Sequence, residues 1–214
     1  MFIPRHPVVE NQFCSYASQT GSGAAGIGGV IAYAGTVVYL DSAAANEEPM
    51  VKKMAYDATG FTPFGFLMQK VKTGYHQVHP AGFYMPGDLG SSDVIAQPLY
   101  NASGTITGTK AAPVGVAHLG IWDTVHYTAA GSGGDADTAT TPSAAVLPGQ
   151  ALYAAQDEGK VTNSTSDAGS AAVYDGERVS TTVIGRVVKG ASVAKATANI
   201  ANTTLYPIRI KLLI

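Results

Sequence analysis

Short apolar runs rich in Val, Ile and Tyr recur along this 214-residue chain, and turn-forming residues separate them. One stretch, PGQALYAAQDEGKVTNS (148–164), contains an apolar strand pattern, a charged turn and a polar strand pattern in succession. Gly159 suits the turn, because glycine adopts positive φ without steric cost. Runs of this length and composition predict β-strands joined by hairpins, so the sequence favours an all-β protein.

The C-terminal segment carries the clearest strand periodicity. Ile208, Ile210 and Leu212 fall on one side of a period-two pattern, and Arg209 and Lys211 fall on the other. We therefore expect one buried and one solvent-exposed face in the last strand.

Other stretches add strands, hairpins and little helix. Residues 97–109 predict a second hairpin, with its turn at Asn101–Gly104, and residues 30–41 predict two strands broken at Gly35. Only Ala43–Glu48 and Ser192–Ile200 have a composition compatible with short helices. The expected architecture is one or two small β-barrel or β-sandwich units.

Composition shifts divide the chain into four parts. Residues 129–145 are a low-complexity run of Ala, Gly, Ser, Thr and Asp with little to bury, which predicts a loop or linker. The expected parts are an N-terminal arm (1–20), a β domain (21–128), the linker (129–146) and a second β unit (147–214), either separate from the first or packed with it as one domain.

Three stretches of the chain resemble one another. Each has a strand pattern ending near Tyr, a turn, a polar strand pattern and a closing strand with glycine after an apolar residue. This internal similarity indicates a repeated β unit, although shared turn chemistry produces similar patterns in small β proteins. The closing pairs are Phe64-Gly65, Val114-Gly115 and Ile184-Gly185.

The charge and cysteine content limit the kinds of partner that the protein is expected to bind. Charged residues make up 13% of the chain, about half the usual ~25%, which suggests that other subunits cover part of the surface. No Lys/Arg run supports nucleic-acid binding. No apolar run approaches a membrane span, and no secretory signal is recognisable. Cys14 is the single cysteine, so no intrachain disulfide forms.

Patterns that suggest a cofactor or metal lack their required context. GSGAAG (21–26) matches the dinucleotide-binding pattern, but that mode needs a strand before the loop and a helix after it. His76 and His79 share a face only in a helix, and their region predicts strand or loop. Asp135 and Asp137 lack the further ligands of a calcium loop. We expect no cofactor and no metal.

A catalytic site is equally unsupported by the sequence. His118 and His126 flank Trp122 in a strongly β stretch, with Asp123 between them. No G-x-S-x-G nucleophile motif accompanies these residues. The sequence therefore predicts a protein that is not an enzyme.

The N-terminal 20 residues contain apolar side chains without an obvious period. Such a segment either packs along its own domain or reaches out as an arm to a neighbour, because exposed apolar termini need a partner surface. On the second alternative, Phe2, Ile3, Phe13 and Tyr16 are the candidate partner-binding residues. Deletion of residues 1–16 is then expected to weaken assembly and leave the folded domain intact.

The second half carries a family resemblance. LPGQALYAAQDEGKVTN followed by VIGRVVKGA resembles the decoration (cement) proteins of tailed-bacteriophage capsids, and AYAGTVVYLD with PFGFLMQKVKTG is a more degenerate version. The resemblance implies β-tulip-like units in a virion protein made in the host cytoplasm. Such a protein binds the major capsid protein on the outer surface of the head, commonly as a homotrimer, and stabilises the lattice.

Three alternatives stay open at this point. The first is another virion β protein, such as a tail-tube, head-fibre or head-completion protein. The second is a carbohydrate-binding or adhesin-like β module, which would need an exposed aromatic platform. The third is a hydrolase with His118 or His126 in its site.

Overall fold

The structure of the protein, a computed structural model, describes residues 2–5, 10–17, 19–20, 29–41, 49–55, 60–73, 94–130, 144–157, 159–167 and 176–214. Only the backbone is described for residues 10, 11, 19, 20 and 95. The prediction of an all-β protein is confirmed, because the described residues form many strands and one short helix.

The strands are numbered in chain order. Strands β1 to β16 are Phe2–Pro4, Glu10–Tyr16, Gln19–Thr20, Val30–Ala32, Val37–Leu40, Met50–Lys53, Pro63–Leu67, Val71–Thr73, Val94–Ala96, Pro98–Tyr100, Ile106–Thr109, Ala112–Thr124, Ala151–Ala154, Val161–Thr162, Gly185–Lys189 and Ile208–Leu213. The helix α1 is Val193–Ile200.

Strand β12 organises the large sheet. Its first half pairs with β2 on one edge, and its second half pairs with β16 and β1. The sheet order is β14-β13-β15-β16-β12-β2-β6-β5-β7, and β7 returns to β12 through the pairs Val116–Leu67 and Ala117–Phe66. The pairings of β12, β2, β6, β5 and β7 therefore form a closed circuit. A small barrel or sandwich stays a prediction.

Two three-stranded sheets accompany the large one. Strands β10, β11 and β3 form the first, and β4, β8 and β9 form the second. The predicted hairpin at 97–109 is confirmed, because β10 pairs antiparallel with β11. Its turn is held by the side chain of Asn101, whose Oδ1 accepts hydrogen bonds from the backbone N–H groups of Ser103 and Thr105 at 3.0 and 2.9 Å.

The two predicted β units share one sheet and one core. Strands β13 to β16 of the second unit join β12 of the first through the β12–β16 pairing. The larger core cluster likewise draws buried side chains from both, among them Phe66, Trp122, Leu152, Ile184 and Ile210. The described residues of 21–128 and 147–214 thus pack together, which is one of the two arrangements that the sequence left open.

The predicted hairpin at 148–164 lies at this junction. Strands β13 and β14 pair antiparallel, and Gly159 in the turn has φ +65°. The backbone N–H of Val37 in β5 donates to the carbonyl oxygen of Gly159 at 2.7 Å. The tip of the second unit's hairpin is therefore anchored to a strand of the first.

Two of the three similar stretches share a strand arrangement. In one, β5 lies between β6 and β7, and in the other, β13 lies between β14 and β15. All four pairings are antiparallel, and the closing strands contain Gly65 and Gly185. The third stretch differs, because β10 pairs with β11 whereas the strand that contains Gly115 pairs with β2 and β7.

The N-terminal segment lies along its own chain. Strand β1 pairs with Trp122–Thr124, and β2 pairs antiparallel with β12 and parallel with β6. The described residues of 1–20 therefore follow the first alternative that the sequence left open, packing along the domain. Because both strands belong to the large sheet, we now expect deletion of residues 1–16 to destabilise the fold, in contrast to the expectation from the sequence that the domain would stay intact.

The remaining predictions concern helices and the linker. The short helix at the end of the chain is confirmed, and its N-cap Ser192 accepts a hydrogen bond from the backbone of Lys195. The second stretch with a composition compatible with a helix, Ala43–Glu48, lies outside the described residues. Of the linker 129–146, residues 129–130 and 144–146 are described, and Val146 forms a bridge with Ala191.

Candidate interaction surface

The three residues considered for catalysis, His118, Asp123 and His126, make hydrogen bonds and packing contacts with other side chains of the fold. Both carboxylate oxygens of Asp123 accept hydrogen bonds from guanidinium groups, from Arg209 Nε at 2.8 Å and from Arg5 Nε at 2.7 Å. His126 Nε2 lies 3.2 Å from the hydroxyl of Thr36. The ring of His118 packs edge-on against Phe64. The Asp123 carboxylate is thus engaged by arginine and does not orient a histidine.

The patterns considered for cofactors and metals lie outside the described residues. These are the glycine-rich stretch 21–26, His76, His79, Asp135 and Asp137. Among the residues that the structure describes, no three His, Cys, Asp or Glu side chains come together as metal ligands.

The four candidate partner-binding residues have different surroundings. Phe2 and Tyr16 are buried in the chain's own core, and Ile3 is partly buried beside Asp123. Phe13 is 73% exposed and lies opposite Gly115, which has no side chain to cover it. Of the four, Phe13 therefore presents the most apolar surface to a partner, and the binding role of the set stays a prediction.

The sequence did not identify a cluster of cationic side chains that the structure brings together on the outward side of β12, β15 and β16. Cross-strand partners share a face of a sheet, so the register defines the residues of this surface. Arg186 lies opposite Lys211, and Lys189 lies opposite Arg209. Lys211 is in turn opposite Ile121. The alternation of the last strand is confirmed, with Ile208, Ile210 and Leu212 fully buried beneath it.

An apolar pair borders these cations. Leu119 in β12 lies directly opposite Leu213 in β16, and the two side chains are 39% and 46% exposed. We call the whole surface the basic face. It consists of Arg5, Leu119, Ile121, Asp123, Arg186, Lys189, Arg209, Lys211 and Leu213.

The basic face carries a charge opposite to that of the whole chain. It contains five of the 13 Lys and Arg residues and one of the 15 Asp and Glu residues, whereas the chain has a formal net charge of −2. Asp123 is buried and already holds Arg5 and Arg209. Among the described residues, Arg186, Lys189 and Lys211 have no acidic side chain within ion-pair distance. The exposed charge of the face is therefore positive.

The central ion pairs hold this surface in place. The hydrogen bond from Arg209, followed by the one from Arg5, lowers the pKa of Asp123 below its usual value, although burial acts in the opposite direction. Arg5 follows β1 and Arg209 lies in β16, so the carboxylate in β12 ties three segments together. A charged surface built on paired strands is rigid before it meets a partner, which lowers the entropic cost of binding.

A sequence signal for the basic face existed but was incomplete. Arg209 and Lys211 alternate visibly with apolar residues, and Arg186 and Lys189 occupy a similar strand. The pairing of the two strands and the bulge between Val187 and Lys189 bring the four cations together, and neither is visible in local sequence.

Comparisons with protein-family models, with curated proteins and with solved structures found no match for this chain. Within the described residues, no helix has the length and the apolar composition needed to cross a bilayer.

Proposed function

We propose that this protein is a structural virion protein that binds the outer surface of a bacteriophage head and stabilises the capsid lattice. The observation that carries the proposal is the basic face, a rigid surface on which three cations, Arg186, Lys189 and Lys211, lack acidic partners among the described residues. The location on a phage head is proposed from the sequence resemblance to capsid decoration proteins.

The partner that suits this face is acidic and has an apolar patch at its margin. Exposed cations on such a surface mainly accelerate and orient association, whereas a desolvated apolar contact adds affinity. Lys211 and Arg186 supply the exposed cations that accelerate association. Leu119 and Leu213 supply the apolar contact that adds affinity. On this proposal the partner is the major capsid protein.

Capsid stabilisation follows from binding to the assembled lattice alone. A protein that binds only the assembled state stabilises that state by mass action, and each occupied site adds to the effect. A homotrimer would present three basic faces to the lattice and multiply weak contacts through high effective concentration. The low charge content of 13% is compatible with extensive coverage by neighbouring subunits.

Charge reversal on the basic face tests the proposal. We would measure co-sedimentation of the purified protein with phage heads from which it has been removed, using the double variant Arg186→Glu/Lys211→Glu. We expect apparent affinity to fall by about tenfold or more, equivalent to ~1.4 kcal/mol. The control with the same change in net charge is Lys110→Glu/Lys195→Glu, which reverses two exposed cations outside the basic face. Equal binding by the double variant and the control would contradict the role of this face.

A second virion location provides the main competing outcome. Tail-tube, head-fibre and head-completion proteins are also β-rich structural proteins, and an acidic partner could be part of the tail or neck. Binding of the protein to isolated tails rather than to heads would retain a structural role and overturn capsid decoration.

A further inference from the structure

A cavity of about 460 Å³ lies between the segment before β7 and the segment that leads into β15. Its volume is within the range of small-molecule sites. The lining mixes an aromatic ring, an ion pair and several hydroxyl groups, and its main members are Phe61, Thr62, Asp167, Arg178, Ser180 and Thr182. The basic face is built from other residues, so the cavity is a separate feature of the protein.

The charged groups of the cavity neutralise each other. Arg178 Nε donates to Asp167 Oδ1 at 2.6 Å, and the Arg178 guanidinium lies 4.9 Å from the centre of the Tyr153 ring. These contacts fix the guanidinium, whose side chain is only 16% exposed, whereas that of Asp167 is 68% exposed. Asp167 therefore has acceptor capacity for a ligand, and the pair offers no net charge to attract an anion.

The aromatic member offers an apolar surface next to these polar groups. The ring of Phe61 is stacked on Tyr39, with centroids 4.5 Å apart and planes 30° apart, and the residue is 40% exposed. Ser180 Oγ accepts a hydrogen bond from the backbone N–H of Thr182 at 3.3 Å, which orients that hydroxyl beside the cavity. One flat apolar ring thus lies among side chains that donate and accept hydrogen bonds.

We propose that this cavity binds a neutral saccharide. A sugar ring combines an apolar C–H face with a rim of hydroxyl groups, and the cavity offers a counterpart to each. The C–H face would pack on Phe61, and the hydroxyl groups would bond to Asp167, Thr62 and Ser180. Hydrogen bonds to the carboxylate are charge-assisted and are the strongest polar contacts available there. The inference goes beyond the proposed structural role and does not depend on it.

Saturation-transfer NMR tests the inference with defined probes. The panel would contain glucose, galactose, mannose, N-acetylglucosamine, maltose and cellobiose, with glucuronate as an anionic comparison. We expect transfer from at least one neutral sugar at Kd of about 1 mM or tighter. The strongest signals should come from C–H protons on one ring face. Glucuronate should give weaker transfer, because the cavity has no net positive charge.

Variants identify the site. Phe61→Ala and Asp167→Asn should each weaken binding of the neutral sugar about tenfold, whereas Phe13→Ala, which removes an exposed ring elsewhere, should leave it unchanged. Asp167→Asn alters a largely exposed side chain, so it tests the site even when Phe61→Ala impairs folding. Absence of transfer from every neutral sugar at about 10 mM would overturn the proposal. Unchanged transfer in Asp167→Asn and in folded Phe61→Ala would also overturn it.

Discussion

The ring of Phe2 lies flat against the indole of Trp122, with centroids 4.4 Å apart and planes 6° apart. The same ring stacks on Phe66 with a centroid distance of 5.7 Å. Strand β1 thus inserts an aromatic side chain between two core residues of its own chain. The N-terminus of this protein therefore contributes to stability in addition to any part it has in assembly.

Removal of the Phe2 ring should destabilise the fold. Truncation of a buried aromatic side chain leaves a cavity, so we expect Phe2→Ala to reduce the free energy of unfolding by about 3 kcal/mol, measured by urea denaturation. The control is Phe13→Ala, which removes an exposed ring and should change it by less than ~0.5 kcal/mol. Similar stability of the two variants would contradict the role of Phe2 in the core.

Acidification should weaken the contact of Asp123 with Arg209 and Arg5. Because these hydrogen bonds lower the pKa of Asp123, the ionised carboxylate stabilises the fold above its unfolded-state pKa of about 3.9. That contribution is lost as pH falls through the lower folded-state pKa. Asp123→Asn should cost about 2 kcal/mol at neutral pH and flatten the loss of stability below about pH 4. Parallel pH profiles for the variant and the natural protein would contradict this account of the ion pairs.

Alkaline conditions should affect the fold through Tyr127. Burial raises the pKa of Tyr127 to about 12, and its hydroxyl donates to the carbonyl oxygen of Tyr206 at 2.9 Å. The raised pKa means that the contribution is complete below the unfolded pKa of about 10 and is lost as pH rises toward 12. Tyr127→Phe should cost about 1 kcal/mol and remove the late-ionising phenol from an absorbance titration. Persistence of that late ionisation in the variant would contradict the assignment.

Substitution of Gly159 should loosen the junction between the two units. Its φ is +65°, and a Cβ atom there would lie 2.7 Å from Thr36 Cγ2 and 2.9 Å from the Val37 carbonyl oxygen. We expect Gly159→Ala to reduce the free energy of unfolding, measured by urea denaturation, by about 2 kcal/mol or more. Gly104 also has positive φ, but no atom lies within 4 Å of the corresponding Cβ position, so Gly104→Ala reports backbone strain alone. Equal costs for the two variants would show that close packing at Gly159 adds nothing.

Local structure was the part of the fold that the sequence predicted well. Turn residues such as Gly159 and Asn101 identify the hairpins because their chemistry acts within a few residues. The alternation of Ile208 to Leu212 identifies the faces of the last strand for the same reason.

Long-range structure was hidden from the sequence. Strand β12 pairs with β1, β2, β7 and β16, and those pairings depend on register and topology rather than on local composition. The apolar N-terminal residues therefore allowed two readings, and only the pairing of β1 shows that Phe2 packs inward. The basic face and the cavity arise in the same way, because each unites residues from segments distant in sequence.

Immunogold electron microscopy of purified phage particles, with an antibody to this protein, tests the proposed location most directly. Label distributed over the whole surface of the head is the predicted result, since a decoration protein occupies repeated lattice sites. Label confined to the tail or neck, or particles without label, would contradict capsid decoration.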